Sequence, residues 1–111
     1  MTPDAQAALD ELDRFFEKPT GGYADPDAIR TVRRLTFRLL NGPYCLDPYV
    51  REKAHHLESM TEVLFSARKH QRHRGGAEQV YVWILGDLQN LRARIHTIEA
   101  DFNGVGMQRV D

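Results

Sequence analysis

The stretch VYVWILGDLQNLRARIHTIEADF, residues 80–102, decides the fold. Its large apolar residues alternate three and four positions apart, as in the seam of a coiled coil. They are Tyr81, Ile84, Leu88, Leu91, Ile95, Ile98 and Phe102. This spacing predicts an amphipathic helix over about residues 77–102. The segment QVYVWIL, residues 79–85, has strong β propensity and is a competing strand candidate. The unbroken heptad pattern that follows it favours the helix.

Three more helices are predicted upstream from start and stop signals. An N-cap oxygen precedes a proline at Thr2-Pro3, Asp25-Pro26 and Asp47-Pro48. Glycine-rich or Asn-Gly stops follow at Gly21-Gly22, Asn41-Gly42-Pro43, Gly75-Gly76 and Asn103-Gly104. These signals bound helices over about residues 3–18, 26–41, 47–73 and 77–102.

Each upstream segment carries one apolar face, which the helical period places together. The first face is Ala5, Ala8, Leu9, Leu12, Phe15 and Phe16, the second is Ile29, Val32, Leu35, Thr36, Leu39 and Leu40, and the third is Val50, Ala54, Leu57, Met60, Leu64 and Ala67. Short connections make neighbouring helices antiparallel. We therefore expect an all-α protein, an antiparallel up-down four-helix bundle that forms a single domain over residues 1–111.

The composition is that of a globular domain, with 41% hydrophobic and 28% charged residues among 111. No window approaches the ~18 apolar residues of a membrane span. The acidic N-terminal segment is unlike a signal or transit peptide. The single cysteine, Cys45, excludes an intrachain disulfide and a cysteine-rich zinc site. These features predict a cytoplasmic protein without a membrane partner.

Charge is distributed unevenly along the chain. Residues 28–74 hold ten bases and four acids, whereas residues 1–27 hold seven acids and two bases. In the second predicted helix, basic residues and one aromatic residue lie opposite the apolar face: Arg30, Arg33, Arg34, Phe37 and Arg38. Guanidinium groups around an exposed ring suit a nucleic acid or another acidic partner. Pairing of these arginines with the acids of the first helix is the alternative.

The segment RKHQRHRGG, residues 68–76, adds Arg68, Lys69 and Arg72 to the basic residues. We interpret it as the last two turns of the third helix, where cations complement the helix dipole and glycine ends the helix. The spacing of Arg68 and His73 resembles the Arg-x(4–6)-His signature of the HEPN ribonucleases. That resemblance implies a helical ribonuclease in which Arg68 holds a phosphate and His73 moves protons. The histidines and glutamates at helical spacing lie on polar faces, so we expect no metal site.

The back of the fourth predicted helix, opposite its seam, carries no formal charge. It consists of Val82, Trp83, Gly86, Gln89, Asn90, Ala93, His96, Thr97 and Ala100. Gly86, Ala93 and Ala100 recur every seven residues, which allows close backbone approach. Because a solvated helix back is normally rich in Lys and Glu, we interpret this one as a second packing surface, most simply for another copy of the chain. The alternative is a monomer in which this helix is central.

Two classes of function follow from these patterns. The first is a non-enzymatic protein-interaction module that forms a homodimer through the fourth helix. The second is a nucleic-acid-binding protein that uses the arginines of the second helix, and the HEPN ribonuclease is a distant third. The sequence has no glycine-rich phosphate loop or nucleophile motif, so we expect no catalytic residues and no cofactor.

Overall fold

The computed structural model describes residues 1–17 and 25–110, and the side chains of residues 1–17, 25–66 and 68–100. Within this part the protein is all-helical and has no strand. The α-helices are α1 (Pro3–Glu17), α2 (Ala28–Leu40), α3 (Pro48–Leu64), α4 (Ala67–Arg72) and α5 (Gly76–Val110), with a 3-10 helix over Pro43–Leu46. Residues 79–85 belong to α5, so the helix prediction is confirmed over the strand alternative.

Two of the three predicted N-caps form as side-chain hydrogen bonds. The Ala5 amide donates to Thr2 Oγ1 at 3.2 Å, and the Val50 amide donates to Asp47 Oδ1 at 3.0 Å. Each bond satisfies an amide that has no partner within its own helix. The third cap differs, because Asp25 Oδ1 accepts from the Asp27 amide at 2.9 Å and α2 begins only at Ala28. The predicted stop at Gly21-Gly22 lies outside the described residues.

The prediction of one continuous helix over residues 47–73 is wrong. Ser66 is extended, with φ −123° and ψ 107°, and it separates α3 from the short α4. The Leu64 carbonyl at the end of α3 accepts a hydrogen bond from His70 Nδ1 at 2.8 Å, and the Phe65 ring lies 5.9 Å from the Phe15 ring. The break thus turns Phe65 towards the core while His70 satisfies a carbonyl that the helix no longer uses.

Of the two predicted stops near α4 and α5, the one at Gly75-Gly76 is correct and the one at Asn103-Gly104 is not. Gly75 and Gly76 have φ of 91° and 67°, the left-handed region that glycine tolerates, and they divide α4 from α5 as predicted. At the other end, α5 continues past Asn103-Gly104 to Val110, so that predicted stop is wrong. Phe102, the last residue of the predicted seam, belongs to the stretch whose side chains are not described.

The predicted apolar faces form most of the core. The seam residues Ile84, Leu88, Leu91 and Ile95 are buried against Leu9, Leu12 and Phe16 of α1, Val32, Leu35 and Leu39 of α2, and Val50, Leu57 and Leu64 of α3. Tyr81, Ile98, Phe15 and Met60 are only partly buried. Val80 and Thr61 are buried although the faces as predicted omitted them. Thr61 can be buried because its hydroxyl donates to the Leu57 carbonyl at 2.7 Å.

Each long helix contacts two others: α1 packs on α2 and α5, and α3 packs on α2 and α5. In the pairs α3–α5 and α1–α5, the contacts join the end of one helix to the start of the other. Arg94, late in α5, donates to Asp47, which immediately precedes α3. The hydroxyl of Tyr81, near the start of α5, donates to the Phe16 carbonyl at the end of α1. No helix in the described part of the chain is both long and apolar enough to span a membrane.

The 3-10 helix before α3 is hydrogen-bonded to the start of α1 and to α5. Tyr44 of the 3-10 helix is 4% exposed; its hydroxyl accepts from the Thr2 amide at 3.0 Å and donates to Glu99 of α5. Burial raises the pKa of the Tyr44 hydroxyl, and the contact with Glu99 adds to that shift. Cys45 lies half-buried in the same turn.

Candidate functional site

The predicted interface residues share the exposed side of α5, which we call the back of α5. Val82 is 58% exposed and Trp83 41% exposed. Gly86 is half-buried, and the other members are all exposed: Gln89, Asn90, Ala93, His96, Thr97 and Ala100. A Cβ atom placed on Gly86 would meet nothing within 4 Å, so the surface beside it is open. No described helix of the chain covers this face.

A shallow depression borders the back of α5 on the side of α3. It is lined by Lys53, His56, Val82, Trp83, Gly86, Asp87 and Asn90. The Trp83 ring forms one wall, and the His73 ring contacts it edge-on with centroids 5.1 Å apart. An indole that contacts a neighbouring ring and remains 41% exposed is a suitable anchor for a partner surface.

Asp87, at the base of this depression, is a buried acidic residue. The residue is 3% exposed. Its Oδ2 lies 2.5 Å from His56 Nδ1, and its Oδ1 lies 3.7 Å from Lys53 Nζ. A buried carboxylate requires such partners, because removing an unpaired charge from water would cost several kcal/mol of folding free energy. No local spacing indicates this cluster, because Asp87 lies more than thirty positions after Lys53 and His56 in the chain.

A second depression borders the back of α5 on the side of α1. It is lined by Met1, Gln6, Gln89, Arg92, Ala93 and His96. Arg92 Nη2 lies 3.1 Å from Asp10 Oδ1 and 2.5 Å from Asp13 Oδ2. The hydrogen bond from Gln6 and those contacts with Arg92 hold the pKa of Asp10 below its usual value. Asp87 and Arg92, the charged residues at the two edges of the back of α5, are thus paired within the chain.

The arginines of α2 divide into two kinds. Arg38 lies 3.6 Å from Asp4 and 3.5 Å from Glu11, and Arg34 lies 3.8 Å from Glu11. Arg30 and Arg33 are exposed and have no ion pair with any side chain that the structure describes. The alternative that these arginines pair with acids of the first helix is therefore correct for Arg34 and Arg38. It does not hold for Arg30 and Arg33 among the described side chains.

Phe37 stands among these arginines and is 70% exposed. It follows Arg33 by four residues and Arg34 by three, which places the three side chains on one helix face. An aromatic ring with this exposure gains little from packing within the chain. It is available to an external partner.

The basic residues of α4 lie close to those of α2. Lys69 Nζ is 2.6 Å from Glu62 Oε1 of α3, and Arg68 and Arg72 are exposed. The pKa of Glu62 is lowered, first by the hydrogen bond and charge of Lys69 and further by the charge of Arg33. Glu62 thus bonds to a cation of α4 and lies near the turn of α2 that carries Arg33, since Thr36 of α2 donates to Glu58, one turn before Glu62. No sequence spacing indicated this junction.

The two residues of the HEPN-like spacing occupy different surroundings. Arg68 is exposed on α4, whereas His73, just beyond α4, is half-buried against Trp83. Among the described side chains no group of three or more His, Cys, Asp or Glu residues could hold a metal ion.

Comparison of the chain with models of protein families, with curated proteins and with solved structures finds no match.

Proposed function

We propose that the protein is a non-enzymatic helical interaction module that forms a homodimer through the back of α5. One observation carries the proposal: from Val82 to Ala100 this face is exposed and bears no formal charge at neutral pH. A helix that stays solvated normally places Lys and Glu on its outer side. Here the large exposed residues are Val82 and Trp83 instead, which favours a face that another molecule covers.

A second copy of the chain is the simplest occupant. A two-fold contact brings the same face of each copy together, so a face without charge meets no repulsion from its own copy. Small residues at 86, 93 and 100 let two α5 helices approach closely along one line. The charged groups at the edges, Asp87 and Arg92, are already paired inside each subunit and need no partner charge.

The back of α5 alone is too small for a stable dimer interface, so the surfaces beside it must also be buried in the dimer. From residue 82 to residue 100 the helix extends about 27 Å, and with a helix width of about 10 Å its face covers about 270 Å². A stable interface buries about 800 Å² on each partner. The depressions beside α1 and α3, including the Trp83 wall, are therefore part of the proposed interface.

The proposal includes the arrangement of the helices and the cellular setting. The contacts α1–α2, α2–α3, α3–α5 and α1–α5, with cross-helix bonds that join the start of one helix to the end of the next, support an antiparallel up-down bundle of these four helices. A half-buried free thiol at Cys45 supports a reducing compartment such as the cytoplasm.

The test measures molar mass in solution by light scattering coupled to size-exclusion chromatography. We expect a concentration-dependent dimer for the wild type and a helical monomer for Ala93→Arg and for Trp83→Glu. Gln89→Arg and Gln71→Arg form a matched pair, because both residues are exposed glutamines and only Gln89 lies on the back of α5. Gln89→Arg is expected to weaken the dimer, and Gln71→Arg is expected to leave it unchanged.

Two results would contradict the proposal. A wild type that remains monomeric at high protein concentration removes the homodimer. A dimer that survives Ala93→Arg and Trp83→Glu places its interface elsewhere on the molecule. Circular dichroism of each variant separates loss of the dimer from loss of the fold.

A further inference from the structure

Exposed cations of α2 and of α4 lie near the same carboxylate, Glu62 of α3. Thr36, three residues after Arg33, donates to Glu58, one turn before Glu62, so α2 and α3 are in contact at this level. Lys69 is bonded to Glu62, and Arg33 lies within electrostatic reach of the same carboxylate. Arg72 follows Lys69 by three residues and so shares its side of α4. We call the set Arg30, Arg33, Arg68, Lys69 and Arg72 the cationic band.

Most charges of the cationic band are not neutralised within the subunit. Arg30, Arg33, Arg68 and Arg72 are exposed, and none has an ion pair with the side chains that the structure describes. Glu62 lies within the band and offsets one charge, through Lys69. By contrast, the acids of α1 engage Arg34 and Arg38 at the other half of α2. The band therefore retains about four positive charges for an external anion.

Phe37 gives the band an aromatic contact. Its ring is 70% exposed, four residues from Arg33 and seven from Arg30 on the same face of α2. Acidic proteins and nucleic acids both supply negative charge, but in a single strand every nucleotide also supplies, next to its phosphate, a flat base that can stack on an exposed ring. In a duplex the bases are stacked on one another and are not available to such a ring.

We propose that the cationic band binds single-stranded nucleic acid, with phosphates on the guanidinium groups of α2 and α4 and a base stacked on Phe37. The core of this site on α2 shares no residue with the back of α5, so the proposal does not depend on the homodimer. Arg30, Arg33 and Phe37 form the core of the site, and Arg34 and Arg38 contribute less because Asp4 and Glu11 hold them.

The test measures fluorescence anisotropy of labelled single-stranded RNA and DNA of about 15 nucleotides, with duplex DNA and polyglutamate as competitors. Arg33→Glu is compared with Arg51→Glu, an equal charge change on an exposed arginine in the first turn of α3. Arg30→Glu is a second variant of the band, and it avoids adding an acid beside Glu62. Phe37→Ala is compared with Leu46→Ala, the loss of another exposed apolar side chain, which is 81% exposed.

We expect binding of single strands that weakens with salt. Arg33→Glu and Arg30→Glu should each reduce the slope of log affinity against log salt by about 0.7 for each phosphate that the variant no longer neutralises. Phe37→Ala should weaken binding about 5- to 150-fold with little change in that slope. Arg51→Glu and Leu46→Ala should match the wild type. Preference for RNA or DNA then identifies the natural strand.

Three outcomes overturn the proposal. The first is a wild type that binds neither strand at low salt. The second is an equal effect of Arg33→Glu and Arg51→Glu, which would show that binding depends on the net charge of the protein and not on the cationic band. The third is equal competition by polyglutamate together with no effect of Phe37→Ala, which assigns the band to an acidic protein. The molar mass of each variant is measured alongside, so that failure here is distinguishable from failure of the homodimer.

Discussion

Asp47 is predicted to stabilise the junction between the 3-10 helix, α3 and α5 through two separate contacts. Its Oδ1 caps α3 by accepting from the Val50 amide at 3.0 Å. Its Oδ2 accepts from Arg94 Nη2 at 2.7 Å and from Arg94 Nε at 3.2 Å. The carboxylate is only 14% exposed, so both contacts are largely shielded from water on the side of Asp47.

The expected magnitude follows from these contacts. Loss of an N-cap side chain costs about 0.5–2 kcal/mol, and an ion pair of which one member is 42% exposed contributes about 0.2–1 kcal/mol. Asp47→Ala removes both and should lower the free energy of unfolding by about 1–3 kcal/mol. Asp47→Asn keeps an acceptor for the Val50 amide and should lose only about 0.2–1 kcal/mol. Arg94→Gln should resemble Asp47→Asn.

Urea unfolding followed by circular dichroism at neutral pH measures these differences. With a slope of about 2 kcal/mol per molar urea, Asp47→Ala should lower the midpoint by about 0.5–1.5 M. The cycle through Asp47→Asn, Arg94→Gln and the double variant isolates the ion pair. An Asp47→Asn variant as unstable as Asp47→Ala would refute the separate contribution of the cap. An unchanged Asp47→Ala midpoint would refute both contributions.

The same pair predicts a dependence of stability on pH. The hydrogen bond from Arg94 is the largest cause that lowers the pKa of Asp47 below its ordinary value of 3.8. A carboxylate with a lowered pKa in the folded state contributes stability that is fully present above its unfolded pKa. That stability is lost as the pH falls through the lower, folded pKa. Arg94→Gln should therefore reduce the acid-induced loss of stability below about pH 4.

Two further predictions concern the core and the HEPN-like spacing. Leu91→Ala truncates a seam residue with 0% exposure and should cost about 2–5 kcal/mol of unfolding free energy by the same urea assay, whereas no measurable loss would contradict its place in the core. The HEPN resemblance predicts that the wild type cleaves RNA and that His73→Ala or Arg68→Ala abolishes cleavage. A wild type that leaves RNA intact after prolonged incubation removes that resemblance as a guide to function.

Much of the fold was predictable because helix periodicity and capping are local properties. The three- and four-residue alternation of Ile84, Leu88, Leu91 and Ile95 places them on one side of any α-helix, and burial on that side follows. The N-caps at Thr2 and Asp47 depend on neighbours within three residues. The same periodicity also separated the exposed back of α5 from its seam.

The candidate sites were predictable only in part. The exposure of Phe37 and Trp83 agrees with their positions on the helical wheel, since each lies away from an apolar face. Which arginines stay unpaired depended on where α1 packs: Asp4 and Glu11 reach Arg34 and Arg38 but not Arg30. No spacing in one helix states which residues of another helix lie opposite.

The sequence by itself determined the helices, their inner and outer faces and two of their caps, because each depends on contacts within about one turn of the chain. Only the tertiary structure decided where α3 breaks, since the break brings Phe65 against Phe15 and His70 against the Leu64 carbonyl. Tertiary packing likewise buried Asp87 with His56 and brought Lys69 of α4 to Glu62 of α3. Charges interact through space and not along the chain, so these pairings arise only when the helices meet.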